Sequence, residues 1–256
     1  MTRAAYWALR IGSAACFVGH GAFGIITKAA WVPYFGFVGI PADWAYTLMP
    51  LVGAVDIALG ISVLFSPRPI VLAYMTVWAL WTAMLRPLTG ESAFEMLERA
   101  GNYGVPLALL LIVGVPRTWR DWFRHAGAES ASADLSVVMR TLIVSTALLM
   151  FGHGGLAMQG KPLLLSHLGI AGLPPSALPV LGFLEMSAAL LLLSWPSTPL
   201  FVLVVAWKLS TEALFPLSGA PIWEFIERGG SYTAPLALAL LMLAYPVRIL
   251  TLRRTS

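Results

Sequence analysis

The chain has 256 residues; 59% are hydrophobic, only 11% are charged, the net charge is +4 and the mean hydropathy is +0.81. A soluble domain carries about 25% charged residues, so this chain has too little polar surface to cover a globule in water, and a bilayer is its natural solvent. The single cysteine, Cys16, excludes an intramolecular disulfide and a dithiol relay, and the scattered arginines read as topology and lipid contact, with nothing that points to nucleic acid.

A membrane span needs about 20 mainly apolar residues. Eight such segments are predicted, near residues 6–27, 46–65, 69–86, 102–116, 136–157, 177–195, 199–217 and 231–247. The first, "MTRAAYWALRIGSAACFVGHGAFG", has the look of a signal peptide. Its likeness in mid-chain, "MRTLIVSTALLMFGHGGLAM" at 139–158, argues that it is retained as a helix.

That likeness extends along the chain. "GHGAFGIITK" (19–28) returns as "GHGGLAMQGK" (152–161), and "ERAGNYGVPLAL" (98–109) returns as "ERGGSYTAPLAL" (227–238). Between them Gly53 and Asp56 correspond to Gly182 and Glu185, and Trp78 to Trp207. The expectation is a duplication: an all-α membrane protein of eight spans, built as two four-helix repeats over residues 1–117 and 136–256, with a linker at 118–135. An even number of spans per repeat makes the repeats parallel, related by a pseudo-twofold along the membrane normal. Ten Lys and Arg residues fall on the side of the termini (Arg3, Arg10, Arg68, Arg117, Arg120, Arg124, Arg140, Arg248, Arg253, Arg254) and five on the other (Lys28, Arg86, Arg99, Lys161, Arg228). The excess predicts both termini in the cytoplasm of a bacterial-type inner membrane.

Before each fourth span lies a short charged segment, "SAFEMLERAG" in the first repeat. Ser92 and Glu95 form a capping box, and Glu95 with Arg99 is a favourable i,i+4 pair. This predicts an outer interfacial helix whose apolar side sinks while Glu95, Glu98 and Arg99 stay wet, with Glu224, Glu227 and Arg228 doing the same in the second repeat. Lys28 and Lys161 at outer helix ends read as snorkelling anchors, and tryptophans 31, 44, 195 and 223 as interface belts.

Ionisable groups inside the spans are costly and therefore candidates for function. Asp56 is expected roughly 15 Å deep and His20 roughly 10 Å deep from the outer side, on consecutive helices. His153 and Glu185 repeat that arrangement, and Tyr103 and Tyr232 begin the fourth spans from the same side. Each repeat can thus gather a His, a carboxylate and a Tyr. Such a pair can relay protons, hold a quinone carbonyl or orient a metal ligand; the bland reading is a self-satisfied polar pair whose glycines serve packing. His20 and His153, as mates at equal depth, also permit bis-His ligation of a haem b.

The third helices differ. Lys208 and Glu212 stand where the first repeat has Ala79 and Ala83, and Arg86 is matched by Phe215. Lys208 and Glu212 can satisfy each other along the helix, although Glu before Lys is the better order; across the bundle, Lys208 can neutralise Asp56 or Glu185, and Arg86 can neutralise Glu212, in a ligand site or in a structural network. No Walker loop, dinucleotide turn, nucleophile elbow, HExxH or CxxC spacing is present, and His125 and His167 carry no clear signal.

On His20, Gly21 and Lys28 with Gly53 and Asp56, and on His153, Gly154 and Lys161 with Gly182 and Glu185, each half resembles the DoxX-like family of four-helix membrane proteins. The resemblance covers the first half of each repeat. It departs in the fusion of two copies, in Asp for Glu at position 56 and in a longer His-to-Lys spacing. It implies the fold and, through a thiosulfate:quinone oxidoreductase subunit among the relatives, a link to quinone. Three function classes follow: a quinone- or proton-linked redox subunit working with a membrane or periplasmic redox partner, a transporter with a polar cavity, and a non-catalytic scaffold.

Overall fold

The computed structural model describes residues 2–125 and 134–245. Among them no strand occurs, and every predicted span falls on helix. In chain order these are α1 (Arg3–Ile25), the short α2 (Val32–Phe37), α3 (Ala42–Phe65), α4 (Pro69–Leu88), α5 (Ala93–Glu98), α6 (Ala100–Val113), α7 (Leu135–Met158), α8 (Pro162–Ile170), α9 (Ala177–Ser194), α10 (Thr198–Leu217), α11 (Trp223–Glu227) and α12 (Gly229–Ala244). Seven segments are long and apolar enough to cross a membrane: α1, α3, α4, α5 with α6, α7, α9 and α10. The chain therefore has the make-up of a multi-pass membrane protein. The 16-residue α12 is apolar but shorter. The end of the last predicted span, residues 126–133 of the predicted linker, and Arg248, Arg253 and Arg254 lie outside the described residues.

Local signals explain where the helices begin. Pro69, Pro162 and Pro199 sit in the first turns of α4, α8 and α10, where the missing N–H costs nothing. Asp134 caps α7, accepting from the Ser136 backbone N–H at 2.9 Å. The Ser136 hydrogen bonds hold its carboxyl below the ordinary value. Arg10 closes the far end of α3, its Nε donating to the Val63 carbonyl at 3.0 Å, so the cation meets the negative end of that helix.

The packing departs from two separate four-helix bundles. Each first helix packs on its own second helix and then on the last elements of the other half: α1 on α3, α12 and α11, and α7 on α9, α6 and α5. α6 and α12 pack on each other between them. These four, α1, α6, α7 and α12, form the interior, whereas α3, α4, α9 and α10 stand outside and present Leu51, Phe183, Leu190 and Leu203 to the surroundings. The reason is close approach along stripes of small residues. A methyl added at Gly101 would lie 2.5 Å from the Gly230 carbonyl, so α6 and α12 touch backbone to backbone. Gly21 meets Gly53 in the same way between α1 and α3, and Gly154 meets Gly182 between α7 and α9.

The expectation of wet interfacial helices is also corrected. α5 runs into α6 with a break at Arg99, and the apolar run spans Ala93–Val113, earlier than the predicted start at 102. Glu95, Glu98, Glu227 and Arg228 are buried. Gly19 and Gly152 have no side chain to keep the other half away, so the end of α11 seats on α1 at Glu227, and the end of α5 seats on α7 at Glu98. The charges are covered by protein, not by water.

Gly101→Val is expected to force α6 from α12 and to cost at least about 1–3 kcal/mol, as overpacking against unyielding backbone does. Thermal unfolding in detergent checks this. Gly36→Ala, where a methyl meets nothing within 4 Å, should leave the midpoint nearly unchanged.

Candidate functional site

Both predicted His–carboxylate pairs form. His20 Nδ1 lies 2.8 Å from Asp56 Oδ2, and His153 Nδ1 lies 2.8 Å and 2.7 Å from the two oxygens of Glu185. A carboxylate only accepts, so Nδ1 carries the hydrogen toward it in each ring. The pairs differ by one methylene. Glu185 is long enough to accept also from Trp207 Nε1 at 2.5 Å. Asp56 is not: its Oδ1 and the corresponding Trp78 Nε1 are both buried without a hydrogen-bond partner.

The space beside His20 is open. A cavity of about 330 Å³ lies among the outer ends of α1, α3, α4 and α6, with α11 contributing Glu227. Trp31, Tyr34 and Phe35 close it from the short outer turn and α2, and Trp78 and Trp81 wall it from α4. The His20 ring stacks on Trp31 with centroids 4.4 Å apart at 25°. Tyr34 latches this cover by donating to Glu91, which also takes Arg86 at 3.0 Å. Burial pushes the Tyr34 hydroxyl up to about 12, so it remains a donor. α3 and α4 both line the cavity yet touch each other little.

In the second half the corresponding space is occupied. Lys208 and Glu212 are 0% and 1% exposed, with Nζ 2.7 Å from Oε1, a contact that lacks hydrogen-bond alignment. Phe215 fills the place of Arg86, with His167 of α8 edge-on against it at 4.6 Å. Burial and then the Arg228 charge hold the His167 imidazole below its ordinary value, so it is neutral at pH 7.

An ion-pair network covers the end remote from Arg3 and crosses between the halves. Lys28 reaches Glu224 at 2.6 Å and Lys161 reaches Glu95 at 2.6 Å, so these lysines are engaged rather than snorkelling. Arg228 joins Glu98 at 3.0 Å, Glu212 at 3.4 Å and Glu224 at 3.5 Å. Arg99 holds Glu95 at 3.0 Å, the predicted i,i+4 pair, and Glu98 at 3.2 Å. Arg86 turns to Glu91 and Glu95, not to Glu212. Lys208 pairs with Glu212, not with Asp56 or Glu185.

Two further expectations change. Tyr103 and Tyr232 do not join the His–carboxylate pairs; their hydroxyls donate to the Met96 and Phe225 carbonyls at 3.5 Å and 3.3 Å. Those carbonyls belong to the last turns of α5 and α11, where the break before the next helix leaves them without a helical partner. Nor do the residues fit a haem held by both histidines. α1 and α7 do not pack on one another, and α6 and α12 occupy the space between them. The described residues hold no group of three or more His, Cys, Asp or Glu side chains arranged for a metal ion.

Sequence reasoning missed Trp31, Tyr34, Trp78 and Asn102 as site residues. Trp78 had a signal, its recurrence as Trp207 at the same distance from the acid. Trp31 reads as an interface tryptophan, and only the fold of the outer turn places it on His20. Compared with protein families, curated proteins and solved structures, the chain matches none.

Breaking the buried pair by Lys208→Met leaves Glu212 with Arg228 alone and is expected to cost about 3–5 kcal/mol. Lys208→Met with Glu212→Met together should cost clearly less than the two single changes added, by thermal unfolding of all three variants.

Proposed function

We propose that this chain is a DoxX-like, eight-span protein of the inner membrane, with parallel repeats and cytoplasmic termini, and that its first half holds a quinone. The second half serves as its scaffold. The observation that carries this reading is the aromatic cavity of about 330 Å³ beside a histidine fixed by a buried carboxylate. A quinone ring is planar and apolar with polar atoms at two ends. It suits tryptophan walls with few polar groups, the usual make-up of a small-molecule site. Access between α3 and α4 suits a ligand whose tail stays in lipid. Asp56 sets the tautomer and direction of His20, as a carboxylate behind a working imidazole does. Electrons would be exchanged with a membrane or periplasmic redox partner.

The asymmetry of the halves favours one site per chain. Where the first half has Ala79 and Ala83, the second buries Lys208 and Glu212, and its histidine sits on a carboxylate already satisfied by Trp207.

Solvent extraction of the detergent-purified protein is expected to release a lipid quinone, seen as a near-ultraviolet band that bleaches on reduction. His20→Ala should lose most of it, while His153→Ala keeps it. A chain without such a band, and without uptake of added quinone, would sink the reading and leave transport or a scaffold.

A further inference from the structure

Resting on the reading of this cavity as a quinone site, we propose that it recognises the reduced, hydroxyl-bearing ring, a hydroquinone, in preference to the quinone. Glu227 of the other half accepts the hydrogen bond that makes the distinction.

The placement of Glu227 supports this. It lines the cavity, is 8% exposed, and makes no hydrogen bond or ion pair among the described residues. Its counterpart by sequence, Glu98, is fully engaged by Arg228, Arg99 and, at 3.8 Å, Lys161. Lys28, which corresponds to Lys161, gives its ammonium to Glu224 instead. One of two matching carboxylates is therefore left unpaired, and it is the one at the open cavity. Burial by itself raises the Glu227 carboxyl, but the charges of Lys28, His20, Arg99 and Arg228 outweigh it and hold the group below its ordinary value. It stands there as an anion, able only to accept.

A second acceptor at the cavity leans the same way. Asn102 Oδ1 is buried and without a partner. The guanidinium groups of Arg86 and Arg99 are drawn toward Glu91, Glu95 and Glu98. Trp78 Nε1 is a fully buried indole donor on the wall without a partner. A quinone offers only carbonyl oxygens, and one of them against Glu227 would leave two acceptors facing each other, both stripped of water. A hydroquinone places an O–H there, a charge-assisted bond of the stronger kind.

The expected effect is a roughly ten- to hundredfold tighter binding of the reduced form, the worth of a hydrogen bond to a charged group. The test is anaerobic calorimetric titration of the purified full chain in detergent with a short-tailed benzoquinol and the matching benzoquinone. Tighter quinol binding, with the preference lost in Glu227→Gln because the amide can also donate, supports the proposal. Quinone binding as tight as quinol in the unaltered protein overturns it while leaving the quinone site in place. A preference that survives in folded Glu227→Gln moves the discrimination away from Glu227 and overturns its role. Binding of neither compound overturns both this proposal and the quinone reading beneath it. The comparison on the unaltered protein stands even if the variant does not fold.

Discussion

A charge removed from water must meet an opposite charge, and at one end of this protein it does so across the two halves. Lys28 finds Glu224, Lys161 finds Glu95, and Arg228 finds Glu98. Each pair joins the first helix or last segment of one half to the other half. These pairs are a poor source of net stability, because desolvation offsets most of their attraction. They are strong in another sense: leaving any member alone is costly, so the halves can dock in few other ways. The glycines allow this docking. Without bare backbone at Gly19 and Gly152, the ends of α11 and α5 could not approach α1 and α7 closely enough to bring their carboxylates over the histidines.

The cavity follows from small departures from symmetry. One methylene fewer at Asp56 than at Glu185 frees an indole N–H and a carboxylate oxygen that the second half pairs off. Ala79 lines the cavity, whereas its counterpart Lys208 is fully buried in the other half. Arg86 in place of Phe215 adds a polar edge, and α2 brings an aromatic cover where α8 brings His167 and leucines. The second half supplies the cavity of the first with Glu227.

Membrane embedding, helix positions and the His–carboxylate pairs were legible in the sequence. Apolar length marks a helix in lipid whatever its neighbours, and a Gly-His repeated with an acid on the next helix implies a meeting at one depth. The roles of Tyr103 and Tyr232 were not legible, because a hydroxyl near a helix break can satisfy either a distant carboxylate or a carbonyl of its own chain, and depth does not choose. The partners of Lys28, Lys161 and Lys208 were equally open, since a long side chain reaches several acids at the same level.

By itself, then, the sequence determined the solvent of this protein, its helices, its repeated polar pairs and the unequal third helices. Only the tertiary structure decided that the halves interleave, that α6 and α12 part the two histidines, and that Glu227 comes to rest unpaired at the other half's cavity. The physical reason is that length and hydropathy act along the chain, whereas ion pairing and close packing depend on which backbones can touch. That depends on glycines facing glycines, at Gly101 and Gly230 above all, across segments far apart in sequence.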